Sequence, residues 1–347
     1  MVKSVAEKQY GKRLWNQLKK PPWRTLILLL GILASFAFFY CLWSPGKRIT
    51  DGRHDLRSNG IWLQHGWLGH DDWFKKHGRD KLLFRDSQKL ENHAALLNGH
   101  GMKYVYPHLC PCQNDGSIAL VDSDQTELFL NVFSEFDVLP WVGGVLDSHC
   151  FIDSEDWRSS FTESIAELFH DHPRLSGIHI NIEPLPSGNT HFLTLLDEMR
   201  KALPRGAIIS IAAYPPPTKF HPFPEVHWDE AFFREVAKRS DQLVPMMYDT
   251  SIAMPKVYTQ IMSNWTSQIL DWSKGTEVLF GVPAYEDANV GYHDPKVENL
   301  SSALRGVHAS LASNKNLSNN YSGVALYSDW VMNQEKWQVF KEEFEND

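Results

Sequence analysis

Runs of β-forming residues alternate with amphipathic helical runs eight times from residue 60 to the end of the chain. This βα rhythm predicts an α/β protein with a parallel sheet, closed as a (β/α)8 TIM barrel. The size agrees, because eight such units occupy about 290 residues. No Gly-x-Gly-x-x-Gly or P-loop pattern follows any strand, which argues against a dinucleotide or phosphate enzyme. An uncharged N-terminal stretch stands outside the alternation and predicts one transmembrane helix ahead of the barrel.

The first 24 residues carry seven Lys/Arg and one Glu, and an uncharged run of 19 residues follows from Thr25 to Trp43. At 1.5 Å per residue the run spans roughly 28 Å, enough for a hydrocarbon core. A cleaved signal is the main rival, but the run exceeds the usual h-region and no convincing small-x-small site follows it. Trp23, Tyr40 and Trp43 stand where interfacial aromatics belong. The expected organisation is a basic tail (1–24), a span (25–43), a linker (44–59) and the barrel (60–347). The basic flank predicts a cytoplasmic N-terminus, with the barrel on the periplasmic, extracellular or lumenal side.

The strands are expected at Ile61–Gly66, Lys103–His108, Val138–Val145, Gly177–Pro184, Ala207–Tyr214, Gln242–Asp249, Glu277–Tyr285 and Ser322–Ser328. Helical stretches between them include Lys81–Leu97, Glu155–Phe169, His191–Leu203, Trp228–Lys238, Val257–Trp272, Val297–Leu311 and Asn333–Phe344. Ser154 ahead of Glu155 and Asp156, and Asn333 ahead of Glu335, are helix-start signals. The prolines at 215–217 and the segment His221–Pro224 read as one long loop after the fifth strand, more often a substrate wall than disorder.

Within the fourth strand, Gly-Ile-His-Ile-Asn-Ile-Glu-Pro (177–184), polar residues alternate with isoleucine. Side chains on a strand alternate faces, so His179, Asn181 and Glu183 share one face. In a barrel that face points inward and sets Glu183 at the C-terminal rim, where barrel enzymes keep their chemistry. The whole chain is −8 and its first 24 residues are +6, so the remainder carries −14. That surface disfavours nucleic acid and other polyanions as partners. The 13 Trp suit a carbohydrate groove as well as a core.

Cys41 lies in the apolar run, whereas Cys110, Cys112 and Cys150 fall in the loops after the second and third strands. In an oxidising compartment one of Cys110 and Cys112 can bridge to Cys150. His108, Asp147 and His149 lie nearby, but no spacing matches a zinc pattern, so no metal is expected. Asn-x-Ser/Thr sequons at Asn264, Asn299, Asn316 and Asn320 matter only in a eukaryotic secretory host.

Four strand ends together resemble the chitinase-like clan, glycoside hydrolase family 18 and its relative family 85. Trp141-Val-Gly143-Gly144 resembles the Ser-x-Gly-Gly element of family 18. The position of its Asp-x-x-Asp-x-Asp-x-Glu motif holds Ser176, His179, Asn181 and Glu183. Met246-Met-Tyr248-Asp249 matches Met-x-Tyr-Asp, and Gly281-Val-Pro283-Ala-Tyr285 matches Gly-x-Pro-x-Tyr-Gly except that Glu286 replaces the last Gly. All three aspartates of the family-18 motif are absent; Asn-x-Glu is similar to family 85 instead. Tyr327 stands near where family 18 has a floor Trp, with Trp330 close by.

The resemblance implies a glycosidase acting on an N-acetylhexosamine polymer or glycan, without a cofactor, which the N-terminal span would anchor to a membrane. In substrate-assisted hydrolysis the sugar's 2-acetamido oxygen attacks the anomeric carbon, so no protein nucleophile is required. Glu183 would be the proton donor, with Asn181 and Tyr248 holding the acetamide. Trp141, Asp249, Tyr285, Tyr327, Trp330 and His179 are the candidate sugar contacts, although His179 also suits a deeper structural role. His65 and His70, at the end of the first strand, are further candidates for ligand contact. A second reading pairs Glu183 with Glu286 as nucleophile. A third, from another class, is a sugar-binding or scaffold protein that kept the fold and lost the chemistry.

Overall fold

The computed structural model describes residues 23–219, 223–287, 292–313 and 319–345. The basic tail up to residue 22, His221 and the Asn316 sequon lie outside the described residues. The chain divides into two units, Met1–Ser44 and Pro45–Asp347. In the first, α1 (Trp23–Leu42) contains Thr25–Leu42, with mean hydropathy 2.4 and none of it buried. That helix is long and apolar enough to cross a membrane.

The second unit is a barrel of parallel strands. These are β1 (Asn59–Leu63), β2 (Met102–Pro107), β3 (Asp137–Val138), β4 (Trp141–Val145), β5 (Gly177–Glu183), β6 (Ile208–Ala213), β7 (Gln242–Pro245), β8 (Glu277–Pro283) and β9 (Tyr321–Tyr327). Hydrogen bonding runs β3-β2-β1-β9-β8-β7-β6-β5-β4. β3 and β4 are two pieces of one barrel strand, expected as continuous over 138–145. Pro140 lacks an N–H for the ladder and interrupts it there. A parallel bridge between His108 and Trp141 rejoins β2 to β4 and closes the barrel.

Among the described residues the barrel helices are α2 (Asp71–Lys76), α3 (Ser87–Gly99), α4 (Ser123–Val132), α5 (Glu155–Asp171), α6 (Thr190–Ala202), α7 (Glu230–Ala237), α8 (Pro255–Trp272), α9 (Leu300–Ser313) and α10 (Gln334–Glu343). Ser154 caps α5 by accepting the Trp157 N–H at 3.3 Å, and Asn333 caps α10 by accepting that of Lys336 at 2.9 Å. Two sequon asparagines are in structural use. Asn299 accepts the Ser302 N–H, and buried Asn320 donates to the Ser273 carbonyl at 2.8 Å.

Side-chain alternation on β5 follows the sequence pattern. Ile178, Ile180 and Ile182 join the large apolar layer between sheet and helices, while His179, Asn181 and Glu183 take the other face. A smaller cluster includes Trp62, Tyr104, Tyr106, Cys110 and Trp141. Around it lies a continuous polar chain. Trp62 Nε1 donates to His179 Nε2 at 3.0 Å, and His179 Nδ1 meets Ser210 Oγ at 2.8 Å. Ser210 and Tyr106 both donate to Gln242 Oε1, whose Nε2 donates to Glu277 at 3.0 Å. The Trp62 donor fixes the His179 tautomer: Nε2 accepts, so Nδ1 carries the proton.

Candidate active site at the barrel mouth

Glu183 ends β5 at the rim and is only partly buried. Asn181 Nδ2 donates to its Oε1 at 2.6 Å, and the Tyr214 hydroxyl, just past β6, also hydrogen-bonds it. Burial pushes the Glu183 pKa above the ordinary carboxylate value, the two hydrogen bonds oppose this, and the charge of Asp249 adds to it. A carboxyl raised in this way is suited to donate a proton.

The Asn181 amide is oriented with Nδ2 towards Glu183, the arrangement that an ionised carboxylate accepts. Asn181 Oδ1 is buried and has no hydrogen-bond partner among the described residues. Room for this edge of the site comes from Gly143, paired with Asn181 across β4 and β5. A Cβ on Gly143 would come within 2.0 Å of the Asn181 carbonyl oxygen, and its φ of +124° favours glycine.

The segment just past β7 contributes Tyr248 and Asp249. Tyr248 stacks on Tyr327 at 5.3 Å between ring centroids and meets Tyr285 edge-on at 5.8 Å. Tyr327 also contacts Trp330, which is 42% exposed, and Trp141. Tyr248, Tyr285 and Tyr327 all have hydroxyl pKa values raised by burial, so they act as neutral hydrogen-bonding groups. Trp141 is buried, and its Nε1 has no partner among the described residues. Asp249 adopts a left-handed backbone (φ +60°) and accepts from the Tyr285 hydroxyl; its carboxyl pKa is raised by burial.

Two sequence candidates stand elsewhere. His179 is fully buried and committed to Trp62 and Ser210, so it supports the floor and offers the cleft no surface. Burial lowers its pKa to about 3. Glu286 is 70% exposed and turns to Lys336 Nζ at 2.9 Å. A cavity of about 450 Å³ lined by Tyr285, Glu286, Lys296 and Lys336 lies on that side.

Along the other wall, His65 stacks on Trp73 at 4.1 Å and lies 3.8 Å from His108, which in turn lies 3.9 Å from Trp141. Burial holds His65 and His108 neutral, lowering them to about 2 and about 3. His70 is buried, 5.7 Å from His65 between ring centroids. Cys112 Sγ lies 3.5 Å from Cys150 Sγ as unbridged thiols, whereas Cys110 is buried close enough to Glu183 to feel its charge.

Three contributors carried no sequence signal: Tyr214, His293 and Glu298. Glu298 is fully buried and accepts the Asp249 and Thr250 N–H groups at 2.7 and 2.9 Å. His293 Nδ1 lies 3.3 Å from Glu298 and 3.6 Å from Asp249, while Nε2 faces the Tyr285 carbonyl at 3.1 Å. Asp249, His293 and Glu298 offer donor atoms within 4.8 Å of one another. As a metal site the set fits poorly, because both ring nitrogens already face oxygen acceptors and Glu298 is occupied by backbone N–H groups.

No protein-family profile and no curated protein matches the sequence. Solved structures match the fold. The chitinase of Chromobacterium violaceum is 16% identical with a TM-score of 0.54, over 82% of this chain and 98% of that one. A family-18 chitinase from Pseudoalteromonas aurantia is 18% identical with a TM-score of 0.54, over 81% and 97%. The spore cortex-lytic enzyme SleL of Bacillus cereus is 12% identical with a TM-score of 0.54, over 83% and 74%. The chain thus has the barrel fold of chitinase-like glycoside hydrolases.

Proposed function

We propose that the chain is a membrane-anchored glycoside hydrolase that cleaves N-acetylhexosamine glycans with retention, using the substrate's acetamide as nucleophile. The observation that carries this is Asn181 at the rim: Nδ2 is spent on Glu183, and Oδ1 is buried without a partner among the described residues. A polar atom left unsatisfied inside a site costs stability unless a ligand completes it. An acetamide N–H donating to Asn181 Oδ1 would do so and would turn the acetamide oxygen towards the anomeric carbon.

The chemistry balances on two protein groups. Glu183 gives its proton to the leaving glycosidic oxygen as the C1–O bond breaks and the acetamide oxygen bonds to C1. Water then attacks C1 from the vacated side and passes a proton back to Glu183, and the ring intermediate reopens. Tyr248 and Tyr285 would hydrogen-bond the sugar, and Trp141, Tyr327 and Trp330 would supply apolar ring faces. The two-carboxylate alternative fares less well, because Glu286 is exposed and ion-paired with Lys336. The raised Glu183 pKa favours an enzyme over a pure binder, which has little use for a proton donor.

The test is a hydrolysis screen of the full chain in detergent against N-acetylglucosamine-containing glycans, with a thiazoline mimic of the cyclised intermediate added. Turnover blocked by the thiazoline is expected. Turnover that ignores it would contradict substrate assistance, and no turnover on any such glycan would contradict the enzyme.

A further inference from the structure

Asn181 has a consequence elsewhere in the cleft. It is neutral, so β5 carries one carboxylate, and the second carboxylate acting electrostatically on Glu183 is Asp249. Asp249 sits just past β7 in a left-handed backbone that is costly for a non-glycine residue, so neighbouring groups must hold it.

Glu298 supplies part of that hold. Its two oxygens accept from the Asp249 N–H, the Thr250 N–H, the Thr250 hydroxyl and His293. Four donors fill the acceptor capacity of one carboxylate. His293 supplies the rest, with its ring stacked on Tyr285 at 3.9 Å. One nitrogen lies between two carboxylates and the other faces a main-chain carbonyl. A neutral imidazole has one N–H and one lone pair, and here a lone pair on either nitrogen would point at an oxygen lone pair. Only the doubly protonated ring satisfies both contacts.

We propose that His293 is an imidazolium that, together with Glu298, positions the Asp249 carboxylate in the cleft. What Asp249 then does for the sugar rests on the proposed glycosidase; the charge and hold at His293 do not. Burial alone would lower the His293 pKa, but Glu298, the Tyr285 carbonyl and Asp249 together raise it above the ordinary histidine value. The cation is therefore present below that raised value and is lost as pH rises through it. The groups facing His293 are Asp249 just past β7, Tyr285 just past β8 and Glu298 ahead of α9.

The experiment uses the full chain in detergent, labelled with ¹⁵N-histidine and ¹³C-carboxyl aspartate, followed by long-range NMR at pH 7.5. The expected result is a ring signal with both nitrogens protonated that disappears in His293→Gln. In that variant the Asp249 carboxyl should titrate about one pH unit higher, a tenfold change in proton affinity, because it has lost its cation. Glu298→Gln should move the His293 titration downward in a chain that keeps the native ring. A neutral His293 tautomer at pH 7.5 overturns the charge state, and an unchanged Asp249 titration in folded His293→Gln overturns the hold. Neither readout needs turnover, so failure of the hydrolysis screen and failure of this proposal are distinct results.

Discussion

The lower interior of the barrel and its mouth are built from the same residue types but settle their polar groups in opposite ways. Below, Trp62, His179, Ser210, Gln242, Tyr106 and Glu277 form a chain in which each donor meets an acceptor. At the mouth, Asn181 Oδ1 and Trp141 Nε1 lack partners among the described residues, and the carboxyls of Glu183 and Asp249 are both pushed up. Folding accounts for the first arrangement and not for the second. Other buried polar atoms, such as Trp67 Nε1 and Thr162 Oγ1, also lack partners among the described residues, so what sets the mouth apart is the coincidence of such atoms with two raised carboxyls. His179 and Glu183, four residues apart on one strand, fall on opposite sides of this divide.

The contrast can be broken by mutation, and the largest effect should come from below. Gln242→Leu leaves Ser210, Tyr106 and Glu277 without their shared partner, and thermal or denaturant unfolding should show a loss of about 2–4 kcal/mol. Activity per folded molecule should hardly change. A stable Gln242→Leu chain with lost activity would erase the distinction.

At the mouth the expected order is reversed. Asn181→Ala should lower turnover by about 10²-fold while stability moves by less than about 1 kcal/mol, because the residue leaves an unpaired oxygen behind in the wild type. Comparing melting with turnover on the same preparations checks this. Asp249→Asn should act through pH. The Asp249 charge raises the Glu183 pKa, so removing it lets that pKa fall. The protonated acid is then lost at lower pH, and the alkaline limb of the rate profile should move towards acid. A limb that stays in place means that Asp249 does not act on Glu183.

The smallest effect is reserved for Glu286→Ala. It removes an exposed pair with Lys336, worth at most about 1 kcal/mol, and turnover should stay close to wild type. A loss of activity matching that of Glu183 variants would instead restore the two-carboxylate mechanism.

The fold was legible because the barrel is made of local signals repeated in order. The isoleucines of β5 and the caps at Ser154 and Asn333 are read from neighbours in the chain. The break at Pro140 was missed because flanking Val138 and Val142 read as one continuous strand, although the proline itself was visible. Glu183, Asn181, Tyr248 and Asp249 were legible as candidates because each lies at or just past a strand end with a motif around it. His293 and Glu298 were invisible for a physical reason: Glu298 reaches Asp249 across 49 positions of sequence, and only the closed barrel makes them neighbours. The partners of His179 were hidden likewise, since Trp62 lies 117 residues away.

The most direct measurement compares Glu183→Gln with the parent chain for glycan turnover and for glycan binding. Turnover should fall by about 10²–10⁴-fold while binding and melting temperature stay near their original values. A glutamine variant that hydrolyses N-acetylglucosamine glycans at the parental rate would contradict the assignment of the proton donor.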